Sequence, residues 1–238
     1  QENYRRFYAG KWDNLPLEMN WKPYWGENNN INKYDKENMC RMEKRTMKNY
    51  ELTLCGVKRI LPFVDLENDL AFASFVIMGD TELITACAPE LANKISDADV
   101  IITAEAKGIA LAYEISKILG KNEFIVARKS IKSYMSGVVS VSVHSITTSG
   151  EQHLYLDGHD AEKLRGKKVC ILDDVISTGE SLYALEALVE SAGGIVTKKA
   201  AILAEGNAAK REDIIFLQEL PLFRKCKNGS YEIQKAEV

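Results

Sequence analysis

The sequence predicts an α/β fold, in which helices pack against a parallel sheet, and two patterns carry this prediction. Short apolar runs alternate with segments of about ten to fifteen residues that have helical spacing. Glycines follow two of the helical segments, as is common at helix carboxyl ends. The five predicted strands are residues 99–103, 124–127, 168–172, 195–203 and 214–217.

The helices are predicted from the spacing of their apolar residues. Residues 108–119 place apolar side chains on one helical face and are followed by Gly120. Residues 181–192 form the second predicted helix, and two glycines stop it. In such sheets ligands bind at the carboxyl ends of the strands, so a site is expected in the loops after Thr103, Arg128 and Leu172.

Composition excludes several classes of protein. At 238 residues, 46% hydrophobic and 27% charged, the chain is an ordinary globular protein that can bury its own core. The formal net charge of −3 gives no basis for a nucleic-acid interaction that rests on a basic surface. The longest apolar stretch, residues 70–78, is too short to span a membrane.

The chain is expected to be cytoplasmic. Its first residues lack the apolar core of a secretion signal. Its five cysteines include no C-x-x-C pair, which is typical of reduced thiols. Two regions are predicted: residues 1–50, an extension of unknown role that holds all three tryptophans, and residues 51–238, the α/β domain.

The chemistry is concentrated in residues 169–182, which read VCILDDVISTGESL. A buried strand delivers two adjacent carboxylates, Asp173 and Asp174, to the edge of the sheet. A small hydroxyl-bearing turn then opens a helix, whose N-terminus favours an anion, and Gly179 lets the backbone approach a ligand closely. Carboxylates beside such a turn suit sugar hydroxyls, or a magnesium ion held through water. A phosphate next to a diol describes a ribose 5-phosphate.

This motif resembles the phosphoribosyl-pyrophosphate (PRPP) motif of the type I phosphoribosyltransferases. The resemblance implies their fold, a Rossmann-like parallel sheet flanked by helices with a small hood, which the N-terminal part of the domain would form. The resemblance covers roughly residues 52–223. The 5-phosphate would be bound by Val175, Ile176, Ser177, Thr178, Gly179, Glu180 and Ser181.

Two further loops resemble the family in the expected order. The AEAKG sequence at 104–108 is similar to its pyrophosphate-binding loop, often built around a non-proline cis peptide, and Lys107 would supply the positive charge. Arg128 and Lys129 match a basic pair that precedes a mobile catalytic loop, here residues 130–155. The implied pyrophosphate ligands are Glu105, Ala106, Lys107, Gly108, Arg128, Lys129 and Lys132. The implied catalytic residues are Asp173, Asp174, Lys107 and Arg128.

The resemblance implies transfer of the 5-phosphoribosyl group from PRPP to a purine base, with release of pyrophosphate. Mg²⁺ is the expected cofactor, held by Asp173 and Asp174 through water. The expected partners are PRPP and a purine base, with neither nucleic acid nor membrane, and family members are commonly homodimers.

Different segments of the sequence favour different acceptor bases. Hypoxanthine-guanine enzymes usually have an aspartate at the position of Ser177, so the serine favours adenine or xanthine. Residues 143–148 are similar to the lid of the xanthine enzyme, whereas 56–60 and 216–223 look more like the adenine family. Adenine is favoured, and xanthine, guanine or orotate are the alternatives.

A hypothesis of a different functional class is that the protein is a transcriptional regulator that senses PRPP. Such proteins carry a DNA-binding domain ahead of this fold. Residues 1–50 show no helix-turn-helix pattern and a balance of only +3, from ten basic and seven acidic residues, which argues against a regulator.

Overall fold

The computed structural model describes residues 49–144, 151–227 and 229–234. Residues 1–48 lie outside these ranges, so the predicted extension 1–50 and its boundary stay a prediction, although the first strand already begins at Asn49. The described strands are β1 (Asn49–Leu54), β2 (Val57–Asp65), β3 (Leu70–Ala73), β4 (Val100–Ala104), β5 (Ile125–Ala127), β6 (Val139–His144), β7 (Glu151–Leu156), β8 (Lys168–Ile176), β9 (Ile195–Glu205), β10 (Ile215–Leu220), β11 (Leu222–Lys225) and β12 (Tyr231–Ile233). The described α-helices are α1 (Thr81–Ile95), α2 (Ile109–Ile118), α3 (Gly158–Leu164) and α4 (Glu180–Ser191).

A five-stranded parallel sheet is the centre of the fold. Its strands follow the order β10-β9-β8-β4-β5, and every neighbouring pair is parallel. All five predicted strands are therefore confirmed, with β8 four residues longer than expected. This extension takes the strand through Asp173 and Asp174 to Ile176.

Two hydrophobic cores cover the two faces of this sheet. Alternate residues of β8 face alternate cores, as the two-residue period of a strand requires. Cys170 and Leu172 lie in the core that includes the buried residues of α1 and α2. Val169 and Ile171 lie in the core that includes those of α3 and α4. The parallel sheet is thus buried on both sides, and only its ends are left for ligands.

A second, antiparallel sheet has the order β1-β2-β3-β11-β12. The hood is expected from the N-terminal part of the domain, which supplies β1, β2 and β3 of this sheet, and β11 and β12 come from the other end of the described chain. Pro221, which has no N–H to donate, separates β10 from β11. Leu222 and Phe223 then pair with Phe72 and Ala71 of β3.

Helix α1 connects the two sheets and was not predicted. Asp80 caps its N-terminus, since the carboxylate accepts a hydrogen bond of 3.1 Å from the Leu83 amide. Pro89 lies inside this helix. Proline usually interrupts helices, but burial of seven residues of α1 outweighs that cost.

Strands β6 and β7 form an antiparallel hairpin within the predicted mobile loop of 130–155. Arg128 and Tyr155 exchange backbone hydrogen bonds of 2.8 and 2.9 Å, which ties the hairpin to the end of β5. Residues 145–150, between the two strands in the sequence, lie outside the described residues. Among the helices that the structure describes, none is long and apolar enough to cross a membrane.

Candidate active site

The two adjacent aspartates lie near the carboxyl end of β8 in different surroundings. Asp174 points into the protein, and 1% of its side chain is exposed, whereas Asp173 is half-buried. The Asp174 amide donates a hydrogen bond of 2.8 Å to Asp173 Oδ1. Burial, together with the neighbouring Asp174 carboxylate, raises the pKa of Asp173 above its ordinary value.

The Asp174 carboxylate is paired with one cation. Lys107 Nζ lies 3.0 Å from Asp174 Oδ2, and the lysine side chain is half-exposed. Within the described part of the chain, neither Asp174 oxygen accepts a hydrogen bond of good geometry. A buried carboxylate that lacks hydrogen-bond donors is costly for the fold, and such a group is typical of a binding site.

The loop after β4 brings its backbone close to this pair. The Glu105–Ala106 peptide bond is cis, as the resemblance led us to expect. Gly108 stands at the N-cap of α2, and a Cβ there would lie 2.2 Å from Thr103 Oγ1 and 3.4 Å from the Leu172 carbonyl oxygen. A side chain at this position would clash with Thr103, so the glycine lets the loop pack closely against the end of β4 and against Leu172 of β8.

The predicted basic residues converge on the same loop. Glu105 Oε2 accepts a hydrogen bond of 3.2 Å from the Lys129 amide and lies 3.8 Å from Arg128 Nε. That amide, followed by the charges of Arg128, Lys132 and Lys129, holds the pKa of Glu105 below its usual range. Arg128 Nε finds no hydrogen-bond acceptor among the described residues. A cluster of cations therefore surrounds the loop that carries Lys107.

The predicted phosphate loop forms a small concave pocket at the start of α4. Gly179 is the N-cap and has φ of +85°, a left-handed conformation that favours glycine. The pocket has a volume of about 40 Å³. It is lined by Asp173, Val175, Ile176, Ser177, Thr178, Gly179, Glu180, Ser181 and Leu182. Asp173 and the loop thus share one pocket, with the buried Asp174 next to Asp173 in the chain.

The predicted site residues therefore lie around one edge of the sheet. Those of 105–108 and 128–132 gather at the β4 and β5 ends, and those of 173–181 at the end of β8. The predicted mobile loop is described only in part, because residues 145–150 lie outside the described residues.

Two residues near the site escaped the sequence prediction. The hydroxyl of Thr103 at the end of β4 is buried and unpartnered within the described residues. Burial raises the pKa of Glu205, at the end of β9, and the charge of Lys107 opposes that rise. Thr103 ends a predicted strand and Glu205 follows another by two residues, and this position at strand ends is the signal that could have identified them.

A magnesium ion fits this donor set. Mg²⁺ is commonly bound through one or two carboxylates, water and substrate phosphates. Asp173 and Asp174 supply the carboxylates, and the Asp174 oxygens have hydrogen-bonding capacity to spare. No cluster of three or more His, Cys, Asp or Glu residues is found in the described ranges, so the protein alone does not cage a metal there.

The parallel sheet and its loops define an α/β domain with a candidate ligand site at the carboxyl ends of its strands, and comparison with known families identifies it. Residues 79–222 match the family model described as the phosphoribosyl transferase domain. The chain belongs to this family, which confirms the resemblance carried by the PRPP motif.

The similar curated proteins are named as purine enzymes. The chain is 37% identical over 116 residues to the hypoxanthine/guanine phosphoribosyltransferase of Methanothermococcus okinawensis, covering 48% of this chain and 59% of that protein. It is 35% identical over 114 residues to the same enzyme of Methanocella arvoryzae, covering 48% and 56%. The chain therefore spans less than two thirds of the length of these relatives.

Two similar solved structures are named as adenine phosphoribosyltransferases. The adenine phosphoribosyltransferase of Thermoanaerobacter pseudethanolicus has a TM-score of 0.54 at 24% identity, covering 67% of this chain and 95% of that one. The Saccharomyces cerevisiae enzyme of that name, complexed with adenine and an imino-altritol bisphosphate, has a TM-score of 0.53 at 18% identity, with 66% and 93% covered. These similarities establish the type I fold and leave the base to be argued from the site.

Proposed function

We propose that this protein transfers the 5-phosphoribosyl group from PRPP to a purine base and releases pyrophosphate. The observation that carries the proposal is the pocket that Asp173 shares with the phosphate loop, next to the buried Asp174. Asp174 Oδ2 lies 3.0 Å from the ammonium of Lys107, which belongs to the loop assigned to pyrophosphate. Three groups of one substrate, a phosphate, a diol and a pyrophosphate, thereby find complementary surfaces within one site.

The reaction is a displacement at C1 of the ribose. The C1–O bond to pyrophosphate breaks, and the bonding electron pair leaves with the pyrophosphate oxygen. A ring nitrogen of the base forms the new C–N bond and gives up its proton to solvent or a nearby base. Positive charge develops at C1 in between, so positioning and electrostatic stabilisation do most of the work.

Each side of the site has a distinct task. Lys107, Arg128, Lys129 and Lys132 stabilise the charge that builds on the leaving pyrophosphate. The carboxylates orient the ribose by accepting hydrogen bonds from its hydroxyl groups. Mg²⁺ bound at Asp173 and Asp174 would neutralise further phosphate charge. The segment that contains β6 and β7, which is tied to Arg128 through Tyr155, would exclude water that otherwise hydrolyses PRPP.

Adenine is the acceptor that we favour, and Ser177 supports it. Its exposed hydroxyl cannot act as the general base that the aspartate of hypoxanthine-guanine enzymes provides at the purine N7. Hypoxanthine or guanine is the second candidate, because the similar curated proteins carry those names.

An enzyme assay tests both the proposed reaction and the choice of acceptor base. The full chain with PRPP and Mg²⁺ is given adenine, hypoxanthine, guanine, xanthine or orotate in turn, and pyrophosphate release is measured. We expect the highest kcat/KM with adenine. Higher kcat/KM with hypoxanthine or guanine would reverse the choice of base, and no release with any base would refute the enzyme.

The localisation, oligomeric state and nucleic-acid binding of the protein are proposed from its family. We infer a cytoplasmic homodimer that binds no nucleic acid. Sedimentation equilibrium would show a mass twice that of the chain, whereas a monomer would contradict the dimer. Tight, PRPP-modulated binding of duplex DNA at low salt would favour the regulator instead.

A further inference from the structure

The phosphate loop lacks a cation of its own. Residues 175–181 contain no lysine or arginine, and Glu180 adds a negative charge beside Asp173 and Asp174. A phosphate monoester carries between one and two negative charges near neutral pH. The helix N-terminus contributes the equivalent of only about half a positive charge. The charge balance of the loop therefore calls for a basic side chain from elsewhere in the fold.

Arg211 lies against this loop. It directly follows the 3₁₀ helix Gly206–Lys210, which continues from the carboxyl end of β9. The structure places Arg211 Nη1 2.7 Å, and Cζ 4.0 Å, from the point that a Cβ on Gly179 would occupy. The guanidinium thus sits at the N-cap residue of α4, in space that a side chain on Gly179 would fill.

Asp213 binds the Arg211 guanidinium on the edge formed by Nε and Nη2. Arg211 Nε and Nη2 donate hydrogen bonds of 2.9 and 2.7 Å to the two oxygens of Asp213. Asp213 Oδ2 also accepts a bond of 2.9 Å from Lys199, which in turn lies 2.5 Å from Glu186. These two contacts use Nε and Nη2, so they leave the donors of the Nη1 edge available.

Stabilising the turn after β9 does not by itself require the contacts between Arg211, Asp213 and Lys199. Lys199 already compensates the charge of Asp213, and an arginine anchored on one edge is pre-organised to donate from the other. The Arg211 side chain is 33% exposed, so a small anionic ligand can reach it.

We propose that Arg211 is a further binding residue for the 5-phosphate of PRPP, donating from its Nη1 edge beside Gly179 while Asp213 holds the opposite edge. This inference rests on the proposed function, since it concerns the same substrate. It assigns the phosphate end of the site a fixed cation that the PRPP motif itself does not contain.

The test measures affinity for ribose 5-phosphate, which shares the phosphate and the ribose with PRPP but lacks the pyrophosphate. Titration calorimetry of the full chain compares Arg211→Gln and Arg211→Lys with the wild type. We expect Arg211→Gln to lose about tenfold or more in affinity, as for one charge-assisted hydrogen bond. Arg211→Lys should recover part of the loss, because it restores the charge without the two-edged geometry.

Two controls separate binding from support of the fold. Arg165→Gln removes an exposed arginine paired with Glu162 at 3.6 Å and should leave the affinity unchanged. Lys199→Gln loosens the Asp213 network without removing the proposed ligand, and should change the affinity far less than Arg211→Gln. In steady-state assays the KM for PRPP should rise in Arg211→Gln while the KM for the base and inhibition by pyrophosphate stay near wild type.

The outcomes are distinguishable. Wild-type affinity in Arg211→Gln would overturn the inference, as would an equal loss of affinity for phosphate, base and pyrophosphate together with a lower melting temperature. Should Arg211→Gln not fold, equal affinity in Arg211→Lys and the wild type would overturn it. A wild type that binds ribose 5-phosphate but turns over no base would refute the proposed function and leave Arg211 standing.

Discussion

Asp174 illustrates the conflict between stability and function at a single residue. Its carboxylate is buried, carries an ion pair to the half-exposed Lys107, and accepts no well-formed hydrogen bond from the described residues. A buried charge in such surroundings destabilises a fold unless a ligand uses it. The ribose hydroxyls of PRPP, or a bound Mg²⁺, would supply the missing partners.

Substitution Asp174→Asn should separate these two effects. The amide keeps the shape and removes the charge, so we expect kcat/KM for PRPP to fall about 100-fold or more. That figure corresponds to two charge-assisted hydrogen bonds at about 1.5 kcal/mol each. The melting temperature of the unliganded protein should stay the same or rise.

Lys198→Gln is the matched control. Lys198 lies on β9 and pairs with Asp97 at 3.6 Å, away from the site loops. Its substitution should leave the kinetics within about twofold, as for surface residues. Equal losses in the two variants would mean that the site is misplaced.

Sequence reasoning at the residue scale recovered side chains that lie within motifs and missed those that the fold delivers from elsewhere. The aspartates, Lys107 and Gly179 follow from the order of residue types along the chain. Arg211 sits in the charged run KRED, where nothing distinguishes it from a solvated arginine. Only the register of β9 and the turn after it bring Arg211 to Gly179.

At the scale of the element, the N-terminus of α1 depends on a capping carboxylate shared with the antiparallel sheet. Asp80 accepts hydrogen bonds of 2.7 and 2.8 Å from Arg59 of β2, as well as that of the Leu83 amide. The Arg59 guanidinium holds the pKa of Asp80 below its usual range. The cap therefore couples the start of the helix to the sheet.

We expect Asp80→Ala to lower the free energy of unfolding by about 1–2 kcal/mol near neutral pH, the usual value of a lost N-cap. Because the folded-state pKa is lowered, this stabilisation is complete above the unfolded-state pKa and is lost as the pH falls through the folded one. The difference between variant and wild type should accordingly shrink on acidification below about pH 4.

Urea unfolding over a series of pH values measures this difference. Glu82→Gln is the control, because Glu82 also pairs with Arg59 but is 72% exposed, and its loss should matter little. A difference between Asp80→Ala and wild type that does not depend on pH would contradict the role assigned to the carboxylate.

Gly179→Ala tests the turn that begins α4. Its φ of +85° is unfavourable for alanine, and the added Cβ would collide with Arg211 at 2.7 Å. We expect a marked rise in the KM for PRPP. Gly120→Ala shares the strain, at φ of +65°, but has nothing within 4 Å of its Cβ. It should lower the melting temperature while leaving the KM for PRPP unchanged, and a similar KM in both variants would contradict the close approach at Gly179.

The elements that sequence reasoning predicted are those with a simple period. The strands of the parallel sheet, buried on both faces, read as short apolar runs and were found with small errors at their ends. Helix α1 was missed because Pro89 argues against a helix unless the packing around it is known. Strand β11 was missed because its partner β3 lies about 150 residues earlier in the chain, and β12 because it pairs only with β11.

At the scale of the whole molecule, the site lies where two cores leave the sheet open. The buried faces of α1 and α2 cover one side and those of α3 and α4 the other. PRPP binding at the strand ends should therefore stabilise the folded domain as a unit.

The expected stabilisation is measurable as a shift in melting temperature. At about 100 times its Kd, a ligand stabilises a protein by about 2.7 kcal/mol. For a domain of about 200 residues this corresponds to about 5–10 °C. Differential scanning fluorimetry with PRPP and Mg²⁺ should show this shift for the wild type and almost none for Asp174→Asn; the same shift in both would place PRPP elsewhere.

The central claim is that the site formed by the Asp173-Asp174 pair and the adjacent phosphate loop joins a ribose to a purine. Phosphorus NMR of PRPP, Mg²⁺ and adenine with the full chain follows substrate and both products at once. Pyrophosphate and a nucleoside monophosphate should appear in equal amounts, and Asp174→Asn should suppress both. PRPP that stays intact, or breaks down only to ribose 5-phosphate and pyrophosphate, with every purine offered would contradict the claim.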